Sequence, residues 1–476
     1  MKRTLLKTLV LSTCLLGPVS LAKVPTKAYQ YTGFDNQTVA AEIGEFKVPE
    51  NRENPNSRMI IIKFVKFPST SKHPKNPIVY LAGGPGGSAT GTAKRPRFEL
   101  FNKLRQVADV ILFDQRGTGL SSDLKLCKTD TLDISRPTTK EGLISATIAD
   151  TKTCVKQWQQ QGFDLNGYNT KQNAADLVDL AQALGTDKIN LWGISYGSHL
   201  AFAVAKYHPQ IINQMVLASL EGLDQTVKRP ARVQALLEKV DLMLKQDPAT
   251  AKRYPDLLGT MARVLDKLEQ APQVVKTQDF RQQPITVGIG KLDVQFVMSY
   301  ILLSDPKHLA KLPRLFAEMD KGNFAEVGAY VAYIKSMASS HNPMSLAMDA
   351  ASGISTQRWQ MVQQEAKKSL VGRTTNFPFP DVNAHLPVKD LGDEFRQEVK
   401  SKIPALFLAG TLDGRTLYQS QVELAGNFSN ASLITIDGAG HNLYMSHPDV
   451  HTSVIDYLNG KPVASKTISL PPLQFQ

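Results

Sequence analysis

The chain predicts an α/β fold: a mostly parallel central sheet with helices on both faces, interrupted by an inserted helical region. Three observations point there. Short continuous apolar runs, "PIVYLAGG" (77–84) and "ADVILFD" (108–114), read as strands buried on both faces. Strand-like and helix-like segments alternate up to residue 220 and again from residue 394, as crossover helices between parallel strands require. Between these stretches, residues 227–388 read as helices and loops, with no strand of comparable strength.

Taken in order, the first 22 residues stand apart. "MKRTLLKTLVLSTCLLGPVSLA" places Lys2, Arg3 and Lys7 before an apolar stretch and small residues at Ser20 and Ala22. This predicts a secretory leader cut after Ala22, hence a periplasmic or secreted protein. The run is shorter than the ~20 residues that span a bilayer, so no stable membrane insertion is expected. The predicted partition is 1–22 leader, 23–226 first part of the α/β core, 227–388 helical cap and 389–476 second part of the core.

Strands are predicted at "KAYQYTGF" (27–34), "RMIIIKFVKF" (58–67) and the two apolar runs above. A helix then repeats Ala174, Leu177, Leu180, Ala181 and Leu184 at three-to-four spacing, with Thr170 as its cap and Gly185 as its end. "KINLWG" (188–193) is a strand, "YGSHLAFAVAKYH" (196–208) a helix stopped by Pro209, and "QMVLASL" (214–220) a strand. The cap reads as "ARVQALLEKVDLMLKQ", "LDVQFVMSYILL", "KHLAKLPRLFAEM" and "FAEVGAYVAYIKSMA". The core resumes with helix "EFRQEVKSK", strand "IPALFLAG" (403–410), helix "YQSQVELAGNF", strand "SLITIDG" (432–438) and helix "PDVHTSVIDYLNG".

The balance of 42% hydrophobic and 21% charged residues over 476 positions is globular and excludes disordered and collagen-like classes. Formal net charge is +12, or +9 without the leader, but the basic residues are scattered and only "AKRPR" (93–97) clusters. Nucleic-acid binding would call for a basic stripe with interleaved aromatics, so no nucleic-acid partner is expected. Beyond the leader the cysteines are Cys127 and Cys154. In an oxidising compartment they are expected to pair, and they are too few for a metal site. No metal and no cofactor is expected.

The chemistry centres on Gly-Ile-Ser-Tyr-Gly (193–197), between a strand and a helix. This G-x-S-x-G pattern is a nucleophile elbow: a turn so tight that glycines are needed two residues either side of Ser195. A serine needs a base, which in this arrangement follows later in the chain, after an acid. His441 in "DGAGHN" (437–442) sits in a loop after a strand, and Asp413 in "LAGTLDGRT" ends the preceding strand. His447 and His451 fall in the terminal helix region, where a surface position is expected. Asp437 lies so near His441 that it reads as shaping the loop. His199, on the elbow helix, reads as a packing or hydrogen-bonding residue. Oxyanion donors are expected from the backbone of Tyr196 and from Gly84 in "AGGPGGS" (82–88). That loop lacks the lysine of a phosphate-binding Walker motif.

Together these motifs resemble the proline iminopeptidase / tripeptidyl aminopeptidase (TAP-like) group of the α/β-hydrolase superfamily. The matching segments are "GGPGGS" (83–88), "DQRGTGLSS" (114–122), "GISYGS" (193–198), "GTLDGRT" (410–416) and "GAGHN" (438–442), in the group's order. The resemblance implies an α/β-hydrolase fold with a helical cap and a triad of Ser195, Asp413 and His441. It also implies a secreted serine-type exopeptidase that removes N-terminal residues through an acyl-enzyme. In such aminopeptidases acidic residues of the cap hold the substrate ammonium; the candidates are Glu221 and Asp349. Asp114 and Arg116 are expected to pair and hold the "DQRGTG" loop. The chain departs at Ala82, where the iminopeptidases carry histidine, and at Leu417, where the group often has proline. A carboxylic-ester hydrolase with the same triad, and an inactive binding protein on the same fold, are the alternatives.

Overall fold

The computed structural model describes residues 23–130, 132–377 and 379–476, so the predicted leader lies outside the described residues. Ten strands form the central sheet: β1 (Lys27–Thr32), β2 (Thr38–Pro49), β3 (Met59–Phe67), β4 (Ile78–Leu81), β5 (Val110–Phe113), β6 (Ile189–Ile194), β7 (Ile212–Ala218), β8 (Ala405–Gly410), β9 (Ala431–Asp437) and β10 (Lys466–Ser469). Their spatial order is β1-β2-β3-β5-β4-β6-β7-β8-β9-β10. The ladder is parallel from β5 to β10, while β1, β2 and β3 add an antiparallel edge. This is an α/β-hydrolase fold, as the resemblance implied.

Every residue of β4, β5, β6 and β8 is buried, which explains their apolar runs, broken only at Asn190 in β6. Side chains alternate between two cores. Leu191, Leu217 and Phe407 face a core shared with the elbow helix; Trp192, Val216 and Leu408 face one shared with Phe98, Phe101 and Val454. After β4 the chain passes to β5 on one side and returns to β6 on the other. Such a reversal opens a crevice outside the carboxyl ends of the strands. The register sets those ends level: Leu81 lies opposite Gly193, Ile194 opposite Ala218, and Ala218 opposite Leu408.

Between β7 and β8 the chain is mainly helical and has its own apolar core, including Leu237, Met261, Leu265, Phe316 and Val331. It is not free of strands. Gln273–Gln278 and Pro284–Ile289 form an antiparallel hairpin, and Val275 pairs with Val287. One face of its first strand is exposed, so polar and apolar residues alternate and form no continuous apolar run. The predicted helix 307–319 is two helices, Pro306–Leu309 and Leu312–Asp320, because Pro313 starts the second. The predicted helix at "EFRQEVKSK" shrinks to Gly392–Arg396, where only Phe395 is buried. The helix Thr170–Leu184 is capped by Asn169 rather than Thr170: its side chain accepts from the Gln172 amide, 3.0 Å away. Thr170 instead turns its hydroxyl to the Tyr196 phenol, at 3.1 Å. Gly185 ends the helix in the left-handed region.

Cys127 and Cys154 are joined as a disulfide with Cα atoms 5.6 Å apart. The bond ties the segment after "DQRGTGLSS" to the helix Lys140–Gln160. The same segment pairs with Ser340–His341, just before the helix Pro343–Ser352. Among the described residues no helix is long and apolar enough to cross a membrane.

Candidate active site

Ser195 sits where β6 turns into the helix Tyr196–Tyr207, with φ 57° and ψ −128°. A non-glycine residue there is strained and persists only because its surroundings hold it. A Cβ on Gly193 would lie 2.9 Å from the Gly197 carbonyl oxygen, and one on Gly197 would lie 2.1 Å from that of Leu81. Glycine is therefore required at both positions. The Ser195 amide donates to Ala218 O at 3.1 Å, and Ser198 Oγ donates to Ser195 O at 2.6 Å.

Asp413 and His441 meet. His441 Nδ1 is 3.0 and 3.1 Å from the two carboxylate oxygens. The carboxylate also accepts from the Arg415 and Thr416 amides at 2.9 Å each, from Thr416 Oγ1 at 2.7 Å and from Gln421 Nε2 at 3.3 Å. Burial opposes its charge, but His441 and these donors outweigh burial and hold its pKa below the usual value. Among the described residues no hydrogen bond links Ser195 Oγ to His441. Backbone links run from both to the end of the same strand: the Ser195 amide bonds Ala218 O, and Ser219, next to Ala218, donates its Oγ to His441 O at 2.8 Å. Tyr444 Oη lies 2.7 Å from Gly193 O, fixing the histidine loop to the start of the elbow.

Gly83 borders the serine: a Cβ there would lie 3.1 Å from Ser195 Cβ. Among the described residues the amides of Gly84 and Tyr196 make no hydrogen bond within the chain. The loop is braced from behind by Gln115, whose Nε2 donates to Ala82 O at 3.0 Å, and by Asn173, which donates to Gln115 Oε1 at 2.7 Å.

The expected Asp114–Arg116 pair does not form. Arg116, fully buried, makes a two-point contact with Asp176, both at 2.7 Å. The helix Thr170–Leu184 buries that carboxylate completely, so it needs a cation, and a planar guanidinium fits it. Asp114 instead accepts from the Thr90 and Leu120 amides at 3.0 and 2.8 Å. It ties the glycine loop to the "DQRGTG" turn.

Glu221 follows the strand β7, and Asp349 lies on the helix Pro343–Ser352. Ser198, which holds Ser195 O, also accepts from the Glu221 amide at 2.9 Å. Glu221 pairs with Lys228 at 3.0 Å. Asp349 is half-buried. Burial, then the Glu221 charge, push its pKa up to about 8 against the pull of Lys228.

The remaining histidines divide. His199 is buried, with Nδ1 3.1 Å from Gly222 O and Nε2 3.3 Å from Ser352 Oγ, as a packing role requires. His447 caps the helix Pro448–Leu458. His451 is buried, not at the surface, because it faces the core side of that helix. Asp437 accepts from Thr411 Oγ1 at 2.7 Å and stays off His441. Sequence reading missed Ser219, Tyr444, Gln115 and Gln421. Ser219 and Tyr444 bond groups more than 220 residues away, Gln115 sits in the "DQRGTG" segment but braces Ala82, 33 residues earlier, and Gln421 lies eight residues beyond Asp413 with no motif to mark it.

Residues 76–287 match the family described as alpha/beta hydrolase fold, and residues 381–465 match the TAP-like protein family. The serine protease Hip1 of Mycobacterium tuberculosis is 28% identical over 181 residues, 37% of this chain and 35% of that protein. Tripeptidyl aminopeptidase of Streptomyces coelicolor is 24% identical over 191 residues, 38% of this chain and 35% of that protein. The matched region thus spans about a third of the length of these curated relatives. Among solved structures, a proline iminopeptidase-related protein from Thermus thermophilus is 15% identical, with a TM-score of 0.40, over 87% of this chain and 96% of that one.

Proposed function

Since the chain belongs to the α/β-hydrolase superfamily and carries a TAP-like segment, we propose that it is a serine aminopeptidase that cleaves N-terminal residues from peptides. The leader reading adds that it acts in the periplasm or outside the cell. One observation supports the peptidase reading: two acidic residues flank the elbow, Glu221 with its amide on Ser198 Oγ, and Asp349 on the helix whose Ser345 bonds the glycine loop. An apolar acyl pocket would serve an ester as well; a pair of carboxylates favours a free ammonium.

His441 takes the proton from Ser195 as the serine oxygen attacks the scissile carbonyl, and Asp413 stabilises the imidazolium. In substrate-free sites such hydrogen bonds are often long and tighten on binding. The Gly84 and Tyr196 amides receive the oxyanion. His441 then protonates the leaving amine, an acyl-enzyme remains on Ser195, and water releases it by the same steps in reverse order. The substrate ammonium is held by Asp349, with Glu221 sharing its charge between Lys228 and the ligand.

Peptidyl nitroanilides with free and acylated N-termini, assayed beside a nitrophenyl ester, test this. Turnover restricted to free-amine peptides and lost in Ser195→Ala is the expected result. Turnover of the ester alone would make the protein an esterase, and turnover of nothing would leave a binding protein.

A further inference from the structure

The helix Pro343–Ser352 belongs to the inserted region, yet it touches the glycine loop that borders the serine. Ser345 Oγ donates to Pro85 O at 2.7 Å. A Cβ on Gly86 would lie 2.3 Å from Ser345 Oγ and 3.1 Å from Asn342 Nδ2. The loop backbone thus lies directly against the start of this helix, at a position where only glycine fits. Asn342 in turn caps the helix, its Oδ1 accepting from the Met344 and Ser345 amides at 2.9 and 3.3 Å.

The other side of the helix is anchored. Met344, Ala347 and Met348 are fully buried in the core shared with the elbow helix. Asp349 lies four residues after Ser345, hence one turn on along the same face. One rigid element therefore carries a hydroxyl on the oxyanion loop and a carboxylate in the ammonium pocket.

We propose that Ser345 is a positioning residue that fixes the oxyanion loop, so that the helix holding the substrate amine also sets the Gly84 donor. This rests on the reading of Ser195 as nucleophile. Its physical basis is that an oxyanion donor works only when its amide is aimed in advance at the point where charge develops. Pro85 O is one residue from Gly84, and its hydrogen bond to Ser345 limits how far the intervening peptides can rotate.

The test is steady-state kinetics of Ser345→Ala and Ser345→Thr on a free-amine nitroanilide and on a nitrophenyl ester. Rates are normalised to active sites titrated with a fluorophosphonate. Alanine is the best helix former, so the helix should survive the change. For Ser345→Ala we expect kcat to fall about tenfold on both substrates, with KM within about twofold, as for a misaimed oxyanion donor. Ser345→Thr, which keeps the hydroxyl, should restore most of kcat. Unchanged kcat per titrated site, or a loss seen only in KM, would overturn the proposal. Failure of the nucleophile reading would look different: no fluorophosphonate labelling of the unaltered protein, and activity retained in Ser195→Ala. If the unaltered protein cleaves only the ester, the Ser345 variants are judged on that substrate by the same criteria.

Discussion

Asp413 at the rim of the sheet and Asp349 in the inserted helix are the same side chain treated in opposite ways. Asp413 is buried but surrounded by donors, from His441, two amides, a hydroxyl and an amide side chain, and its pKa is held down. Asp349 has burial and a like-charged neighbour, and its pKa rises to about 8. The first carboxylate is complete within the chain. The second has only the nearby Lys228, which is paired with Glu221, to offset its charge. Structural satisfaction therefore marks the group that orients, and its lack marks the group that binds.

The largest predicted effects fall on the first region. Ser195→Ala should lower kcat by at least about 10⁴-fold on every substrate. Asp413→Asn should lower it by about 10⁴-fold, because the amide no longer stabilises the imidazolium or its tautomer. If the two regions differ as described, neither change should alter the preference for a free amine. Asp349→Asn should do the reverse, raising KM for free-amine peptides about tenfold or more while leaving ester kcat within a few-fold.

Acidity sharpens the contrast. A substrate ammonium binds the ionised form of Asp349, so kcat/KM for free-amine peptides should rise more steeply than that for the ester as pH climbs toward about 8, and this excess should vanish in Asp349→Asn, leaving the rise that both substrates owe to His441. Stability runs in opposite directions for the two groups. The lowered pKa of Asp413 stabilises the fold above the ordinary carboxylate range, and that contribution is lost as pH falls through its folded value. The raised pKa of Asp349 makes folding less favourable as pH rises from its ordinary value toward about 8. In urea titrations Asp349→Asn should therefore gain stability over the unaltered chain at pH ~9 relative to pH ~6. The smallest effect tests the local account of the core: Asn169→Ala should cost about 1 kcal/mol by removing a helix cap, with kcat unchanged.

Much of this was legible in the sequence where the physics is local. The buried strands announced themselves as apolar runs, and Gly193 and Gly197 marked the elbow because no other residue fits there. Asp413 and His441 could be placed because each follows a recognisable strand. What escaped was either amphipathic or distant. The strand β2 and the hairpin at 273–289 alternate polar and apolar residues and offer no continuous run. Arg116 was matched to Asp114, its neighbour in sequence, whereas the fold gave it Asp176, 60 residues on. Ser219 and Tyr444 position the histidine loop from strands and turns that only the assembled sheet brings together.

The most direct test of the central claim is one ratio: kcat/KM for a free-amine peptidyl nitroanilide over that for its N-acetylated twin, in the unaltered protein and in Asp349→Asn. The account predicts a ratio of about 100 or more that falls by at least about tenfold in the variant. A ratio near one in the unaltered protein, or a high ratio that Asp349→Asn leaves intact, would contradict it.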